Sequence, residues 1–248
     1  PPDPRLLGAG DAPTVESTRD GPWSDPRVWS GGKVPVLGSR VVILPGLTVL
    51  YDSASTDALH SLDVRGTLVF SRNVNTNLDV GDIIVFPKGR LEIGTREQPI
   101  PANTTARIRL VKEEEGQRSL MVLGEAQIHG APVSPTFTFL ARTAQKGQSV
   151  LELTEPVDWP AGGRIVVTAT GSNPGEVEEF TIARVLGTVI VLDKPLRFLH
   201  SGEQLSRGEV ALLTRNVLIT SRDITKRGHT IFHEGAKGGI SYAEFAHL

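Results

Sequence analysis

The chain has 248 residues, ample for a buried core, with 26 Lys and Arg set against 28 Asp and Glu. That balance, a formal net charge of −2, argues against a protein that grips nucleic acid by neutralising phosphates, which needs a basic surplus. Cysteine is absent, which excludes disulfides, thiolate zinc sites and cysteine nucleophiles, and no segment reaches the roughly 18 apolar residues of a membrane span.

Pro1 to Gly21 is polar and proline-rich with no signal-peptide pattern, and a start at Pro rather than Met reads as a processed or excised piece. Beyond it, short runs rich in Val, Ile and Leu recur between Gly, Asp, Asn and Pro. They predict strands at Arg40–Ile43, Thr48–Leu50, Ser61–Val64, Thr67–Phe70, Asp82–Val85, Arg90–Ile93, Ala106–Leu110, Leu120–Leu123 and Ala126–His129. Further strands are expected at Ser149–Leu153, Arg164–Thr168, Glu179–Val185, Thr188–Leu192, Val210–Leu213, Val217–Thr220, Thr230–His233 and Ile240–Phe245. Helical periodicity is nearly absent, and only Ser53–Leu59 suits a helical turn. The class is all-β.

Asn-Gly and Asp-Gly hairpin signals, which sandwiches and meanders favour, are missing from the strand pattern. A different phrase recurs: apolar strand, Gly-containing corner, apolar strand. It appears at Leu62-Asp-Val-Arg-Gly-Thr-Leu-Val-Phe70, Val85-Phe-Pro-Lys-Gly-Arg-Leu-Glu-Ile93 and Ile182-Ala-Arg-Val-Leu-Gly-Thr-Val-Ile-Val191, with Gly66 and Gly89 spaced as in solenoid repeats. Corner glycines would let the chain turn at φ > 0. The pattern fits a single-stranded right-handed parallel β-helix, a solenoid, with an N-terminal cap. Trp23 and Trp29, six apart around a Pro-containing turn, offer either a sugar-stacking platform or that cap; a solenoid needs the cap.

Trp23-Ser-Asp-Pro-Arg-Val-Trp29-Ser-Gly-Gly-Lys-Val-Pro35 resembles the opening of the G-eight domain, as do Val41-Val-Ile-Leu-Pro-Gly-Leu-Thr-Val-Leu-Tyr-Asp52 and Gly89-Arg-Leu-Glu-Ile-Gly-Thr-Arg-Glu-Gln-Pro-Ile100 further on. Asp158-Trp-Pro-Ala-Gly-Gly-Arg-Ile165, Glu178-Glu-Phe-Thr-Ile182 and Leu213-Thr-Arg-Asn-Val-Leu-Ile219 are similar to the parallel β-helix that follows this domain in the cell-migration-inducing and transmembrane hyaluronidases and the fibrocystins. The resemblance implies three segments: an extension over 1–22, a G-eight-like domain with its cap over 23–130, and continuing parallel rungs over 131–248. It also implies a secreted or cell-surface setting and, in the hyaluronidase branch, cleavage of a glycosaminoglycan favoured by calcium. The fibrocystin branch implies receptors without catalysis. Gly163 stands where the family carries an Asp, and Gly171-Ser-Asn-Pro-Gly175 replaces an acidic or polar stretch. The Ala-, Arg- and Gly-rich style, without cysteine, suggests a bacterial source.

Two functions follow from this reading: a polysaccharide-acting module, or a non-catalytic adhesion or scaffold module. Glycosidase chemistry needs two carboxyl groups roughly 5 to 9.5 Å apart, which neighbouring rungs supply without a local motif. The candidates are Asp158, Glu178, Glu179 and Asp193; Glu178 and Glu179, being adjacent in a strand, point to opposite faces. Arg164, His129 and His229 are the candidate substrate-binding residues. His229 and His233 suggest a metal pair, but at i and i+4 of a strand they lie about 13 Å apart. A metal would therefore need histidines of neighbouring rungs, His129, His200 or His247. Lys112-Glu-Glu-Glu-Gly116 reads as a solvated loop, and Asn103-Thr-Thr105 is a glycosylation sequon with meaning only in a secreted eukaryotic protein. Gly239 to Leu248 reads as a rung in progress, to be covered by further rungs or a partner chain.

Overall fold

The computed structural model describes residues 14–111 and 118–248, so the charge run at 112–116 and most of the expected extension lie outside the described residues. Within them the protein is all-β, with helix confined to single 3-10 turns at Pro26–Val28, Ser30–Gly32 and Pro174–Glu176. Ser53–Leu59 is not helical: Ala54 bridges Asn77, and Leu59 opens a strand. Two compact units form, one from Pro1–Pro132 with Arg215–Leu248 and one from Val133–Thr214.

In the first unit the chain steps between two sheets, and every strand pairing is parallel. One sheet holds β1 (Val15–Glu16), β3 (Arg40–Ile43), β5 (Leu59–Val64), β7 (Thr76–Val85), β9 (Ala106–Leu110) and β10 (Ser119–Val122). It also takes β18 (Val217–Ser221), β19 (His229–Phe232) and β21 (Ala243–Ala246). The other holds β2 (Gly21–Pro22), β4 (Thr48–Tyr51), β6 (Thr67–Phe70), β8 (Arg90–Ile93), β11 (Glu125–His129) and β20 (Lys237–Ser241). β7 is long enough to pair with β9 through its first half and with β10 through its second. Registers stack like residues: Val41, Leu62, Ile83 and Leu120 form one inward ladder, and Val49, Leu68, Leu91 and Ala126 another. All eight are buried, and each Leu, Ile or Val so removed from water contributes about 1.5–3 kcal/mol.

The corners between the sheets explain three glycines. A Cβ on Gly66 would lie 2.3 Å from the Leu44 carbonyl oxygen, on Gly89 2.1 Å from that of Val64, and on Gly124 2.3 Å from that of Phe86. None of the three has positive φ. The expected role of turning the chain is therefore corrected: these glycines permit close approach of one coil to the coil before it. β1 and β2 lie within the expected extension, yet they pair with β3 and β4 and start the stack. Over that start sits the cap. Trp23 and Trp29 are buried edge to face with centroids 4.6 Å apart, and Trp23 continues onto Tyr51 and Tyr51 onto Phe70 at 5.0 Å each. Trp29 Nε1 donates to the Trp23 carbonyl at 2.7 Å, which satisfies the indole N–H within the core.

The expected run of parallel rungs over 131–248 does not hold between Phe137 and Leu212. The second unit is a six-stranded antiparallel sheet in the order β12 (Phe137–Phe139), β17 (Glu209–Leu212), β14 (Arg164–Val167), β15 (Glu178–Leu186), β16 (Val189–Leu192), β13 (Val150–Glu152). A bridge between Leu140 and Leu153, with Thr154 N donating to the Phe139 carbonyl at 2.9 Å, brings β13 back to the end of β12, so the sheet curls toward a barrel. Leu140, Leu151, Ile165, Phe180, Ile190 and Val210 are among the residues that fill it. The departure shows at Gly187. Leu186 pairs with Val189, so Gly187 and Thr188 make a two-residue hairpin; Gly187 has φ of 63° and no atom within 4 Å of where a Cβ would lie. From Val217 the chain rejoins the parallel stack.

Candidate functional site

All four carboxylates proposed for catalysis fall in the antiparallel unit, so the expected cross-rung pair is not formed. Asp158 is exposed between β13 and β14. Glu178 and Glu179 point to opposite faces, the first buried and the second exposed. Asp193 is exposed beyond β16, and its Oδ1 accepts from Thr181 N at 2.9 Å. Glu178 is wholly engaged. Its oxygens accept from Arg197 N at 3.0 and 3.1 Å and from Phe198 N at 3.1 Å, and Oε2 lies 3.1 Å from His200 Nε2. Burial works against the charged form, but the hydrogen bonds from His200, the two backbone amides and the Arg197 side chain outweigh it and hold the carboxyl below its ordinary range. Those contacts leave this carboxylate a structural acceptor.

The histidines proposed for binding lie in the parallel unit. His129, on β11, ends a polar chain over the outside of its sheet. Arg90 binds Glu92 at 2.8 Å and also Glu125; Gln127 Nε2 donates to Glu125 Oε1 at 3.1 Å; and Gln127 Oε1 meets His129 Nε2 at 2.9 Å. Because the Gln127 oxygen must accept, His129 carries its proton on Nε2 and its Nδ1 accepts from Ser241 Oγ at 2.7 Å. Burial, with the nearby Arg96 charge, holds this imidazole below its ordinary pKa, which favours the neutral ring. His229 opens β19 in register with Ser119, whose N and Oγ donate to Asp82 Oδ1 at 2.9 Å. His233 follows the same strand, and its Nδ1 lies 3.2 Å from the Glu234 carbonyl. His200 belongs to the Glu178 cluster of the other unit, with Nδ1 donating to the Thr168 carbonyl at 2.9 Å.

Among the described residues, no three His, Asp or Glu side chains come together as a metal would require. Buried Asp79, the other well-placed carboxylate, is clamped by Arg109 through Nε at 2.7 Å and Nη2 at 2.8 Å and approached by Arg222 at 3.5 Å.

A feature that the sequence reading passed over occupies the solvent face of the antiparallel sheet. Phe137 and Phe139 flank buried Thr138, whose hydroxyl lies 3.1 Å from both Thr154 Oγ1 and Glu155 Oε1. Alternation along β12 then turns both rings outward, 50% and 36% exposed, edge to face with centroids 5.9 Å apart. Register extends this face. Phe137 lies opposite Ala211, Ala211 opposite Val166 and Val166 opposite Glu179, with Arg164 two residues from Val166 on the same side. Thus Arg164 and Glu179, chosen from sequence, share a face with an aromatic pair that was not. Beside Phe139 opens a cavity of about 510 Å³ lined by Ala169, Thr170, Gly171, Gln204, Leu205, Ser206 and Arg207. Arg207 donates one bond, from Nε to the Gly202 carbonyl at 3.3 Å, and Ser206 Oγ pairs with Ser201 Oγ at 2.8 Å. Leu205 projects fully into solvent. The face thus offers aromatic edges and faces, hydroxyl and amide groups, and a guanidinium. The signal in the sequence was Phe-Thr-Phe alternation, legible only once Thr138 is known to face inward.

The family model described as G8 domain matches residues 28–141. The chain belongs to the G8-domain family. Human fibrocystin-L is 36% identical over 244 residues, an alignment covering 90% of this chain and 6% of fibrocystin-L. A G8 domain-containing protein of Dictyostelium discoideum is 29% identical over 242 residues, covering 88% of this chain and 21% of that protein. Dog fibrocystin is 28% identical over 245 residues, again 6% of its own length. This G8 protein therefore spans a small fraction of the relatives it matches. Those relatives are eukaryotic, which gives the expected bacterial source no support.

Proposed function

We propose that this G8 protein is a non-catalytic, glycan-binding module of a secreted or cell-surface protein, with its parallel stack forming a right-handed β-helix. The observation that carries the reading is the exposed Phe137–Phe139 pair beside the cavity that Arg207, Gln204, Ser206 and Thr170 line. Aromatic rings stack on the apolar faces of sugars, while hydroxyl, amide and guanidinium groups meet their hydroxyl and acidic substituents. What supports binding without cleavage is Glu178, the buried candidate, whose oxygens are committed to Arg197, Phe198 and His200. The extracellular setting rests on kinship to the fibrocystins. In affinity electrophoresis against neutral and acidic polysaccharides, hyaluronan included, at least one polymer retards the protein. Phe137→Ala combined with Phe139→Ala abolishes the retardation while leaving the fold intact. Equal retardation of both proteins, or none by any polymer, would overturn the reading.

A further inference from the structure

Asn103-Thr104-Thr105 has no role in the face described above. Of the six asparagines in the chain, Asn103 alone is followed by a residue other than Pro and then by Ser or Thr. The structure presents it differently from four of the others. Asn75, Asn77, Asn173 and Asn216 spend their side chains on hydrogen bonds within the fold. Asn103 is exposed on the turn Pro101–Thr104, closed by Thr104 N donating to the Pro101 carbonyl at 2.9 Å, and its amide makes no hydrogen bond among the described residues. The turn is pinned from below. Asn216 Nδ2 donates to the carbonyls of Ile100, Pro101 and Thr104 at 3.1, 2.8 and 2.8 Å, and Ile100 is fully buried. Thr104 Oγ1 donates to the Arg72 carbonyl at 3.2 Å, and Thr105 N donates to Asn75 Oδ1 at 2.8 Å. A large group attached to the Asn103 amide would therefore project into water and displace no contact of the fold.

We propose that Asn103 is a site of N-linked glycosylation, an inference that rests on the secreted or cell-surface reading. The amide nitrogen of Asn103 forms a bond to the anomeric carbon of an oligosaccharide carried on a lipid diphosphate. The bond from that carbon to the diphosphate oxygen breaks, the lipid diphosphate leaves, and the amide gives up one proton. No oxidant or reductant is involved. The Thr105 hydroxyl is the group an acceptor of this type must supply two residues on.

The test is expression behind a secretory leader in eukaryotic cells, followed by intact mass with and without peptide N-glycosidase. Wild-type protein carries added mass that the enzyme removes, converting Asn103 to Asp. Asn103→Gln and Thr105→Ala each lose the added mass, and Thr105→Ser retains it. Because the Asn103 side chain is exposed and makes no hydrogen bond among the described residues, Asn103→Gln keeps the wild-type melting temperature. Transfer precedes export, so the two ideas separate: modified protein held inside the cell speaks against the extracellular reading alone. Unmodified wild-type protein in the medium would overturn the assignment of Asn103.

Discussion

Gly89 and Gly46 look alike in the sequence and do different things. Gly46 has φ of 80° and open space where a Cβ would sit, so Gly46→Ala meets only left-handed strain, about 1–2 kcal/mol. Gly89 has ordinary φ but a carbonyl oxygen 2.1 Å from its would-be Cβ, so Gly89→Ala must push two coils apart and costs at least about 3 kcal/mol. Denaturant midpoints of the two variants check the ranking; equal losses would refute the close-approach account. Glu178 supplies a pH dependence. Its folded pKa is depressed, so its contribution is complete above the unfolded carboxylate value near 4.5 and is lost as pH falls through the folded value. Glu178→Gln should cost about 3 kcal/mol at pH 7, and the gap from wild type should narrow steadily in acid, read by urea melts across that range. A gap that does not change with pH would mean that folding does not depress the Glu178 pKa.

Among the elements, the cap was legible and the insertion was not. Two tryptophans around a proline turn, ahead of the first strong strand, announced a buried lid because a solenoid end must be covered. Trp29→Phe keeps an aromatic ring but strands the Trp23 carbonyl, and should lower stability by about 1–3 kcal/mol in chemical denaturation. The strand pattern also gave most of the parallel stack, since Val, Ile and Leu at alternate positions specify which face is buried. The failure came from Arg65-Gly-Thr-Leu68 and Leu186-Gly-Thr-Val189, nearly the same words. The first turns a corner under the carbonyls of Leu44 and Leu47; the second closes a hairpin with Gly187 at positive φ. What separates them is whether the neighbouring strand lies one coil away or directly across the turn, and no local residue encodes that. Site residues were harder still. Glu178 and Arg164 were chosen for their chemistry, but their surroundings come from β17 and from the segment after β16, distant in sequence.

At the scale of the molecule, the parallel unit is one stack interrupted by Val133–Thr214. β9 and β11, before the interruption, pair with β18 and β20, after it, and Asp79 takes Arg109 from one side and Arg222 from the other. Ala131 N donates to Asn216 Oδ1 at 2.8 Å, so the two ends of the interruption meet within the stack. Joining Pro132 to Arg215 through a short Gly-Ser linker should leave a cooperatively melting β protein with amide protection retained in β7 to β11, and should abolish polysaccharide retardation. Loss of the cooperative melt would show that the stack needs the inserted sheet. The central claim is that the protein holds a glycan without cutting it. The direct measurement is polymer molar mass by light scattering during incubation with the polysaccharide that retards it best, with calcium and with chelator. The account predicts a polymer mass that stays constant, with bound protein adding to it in wild type and not in the Phe137→Ala, Phe139→Ala variant. A polymer mass that falls with time would contradict it.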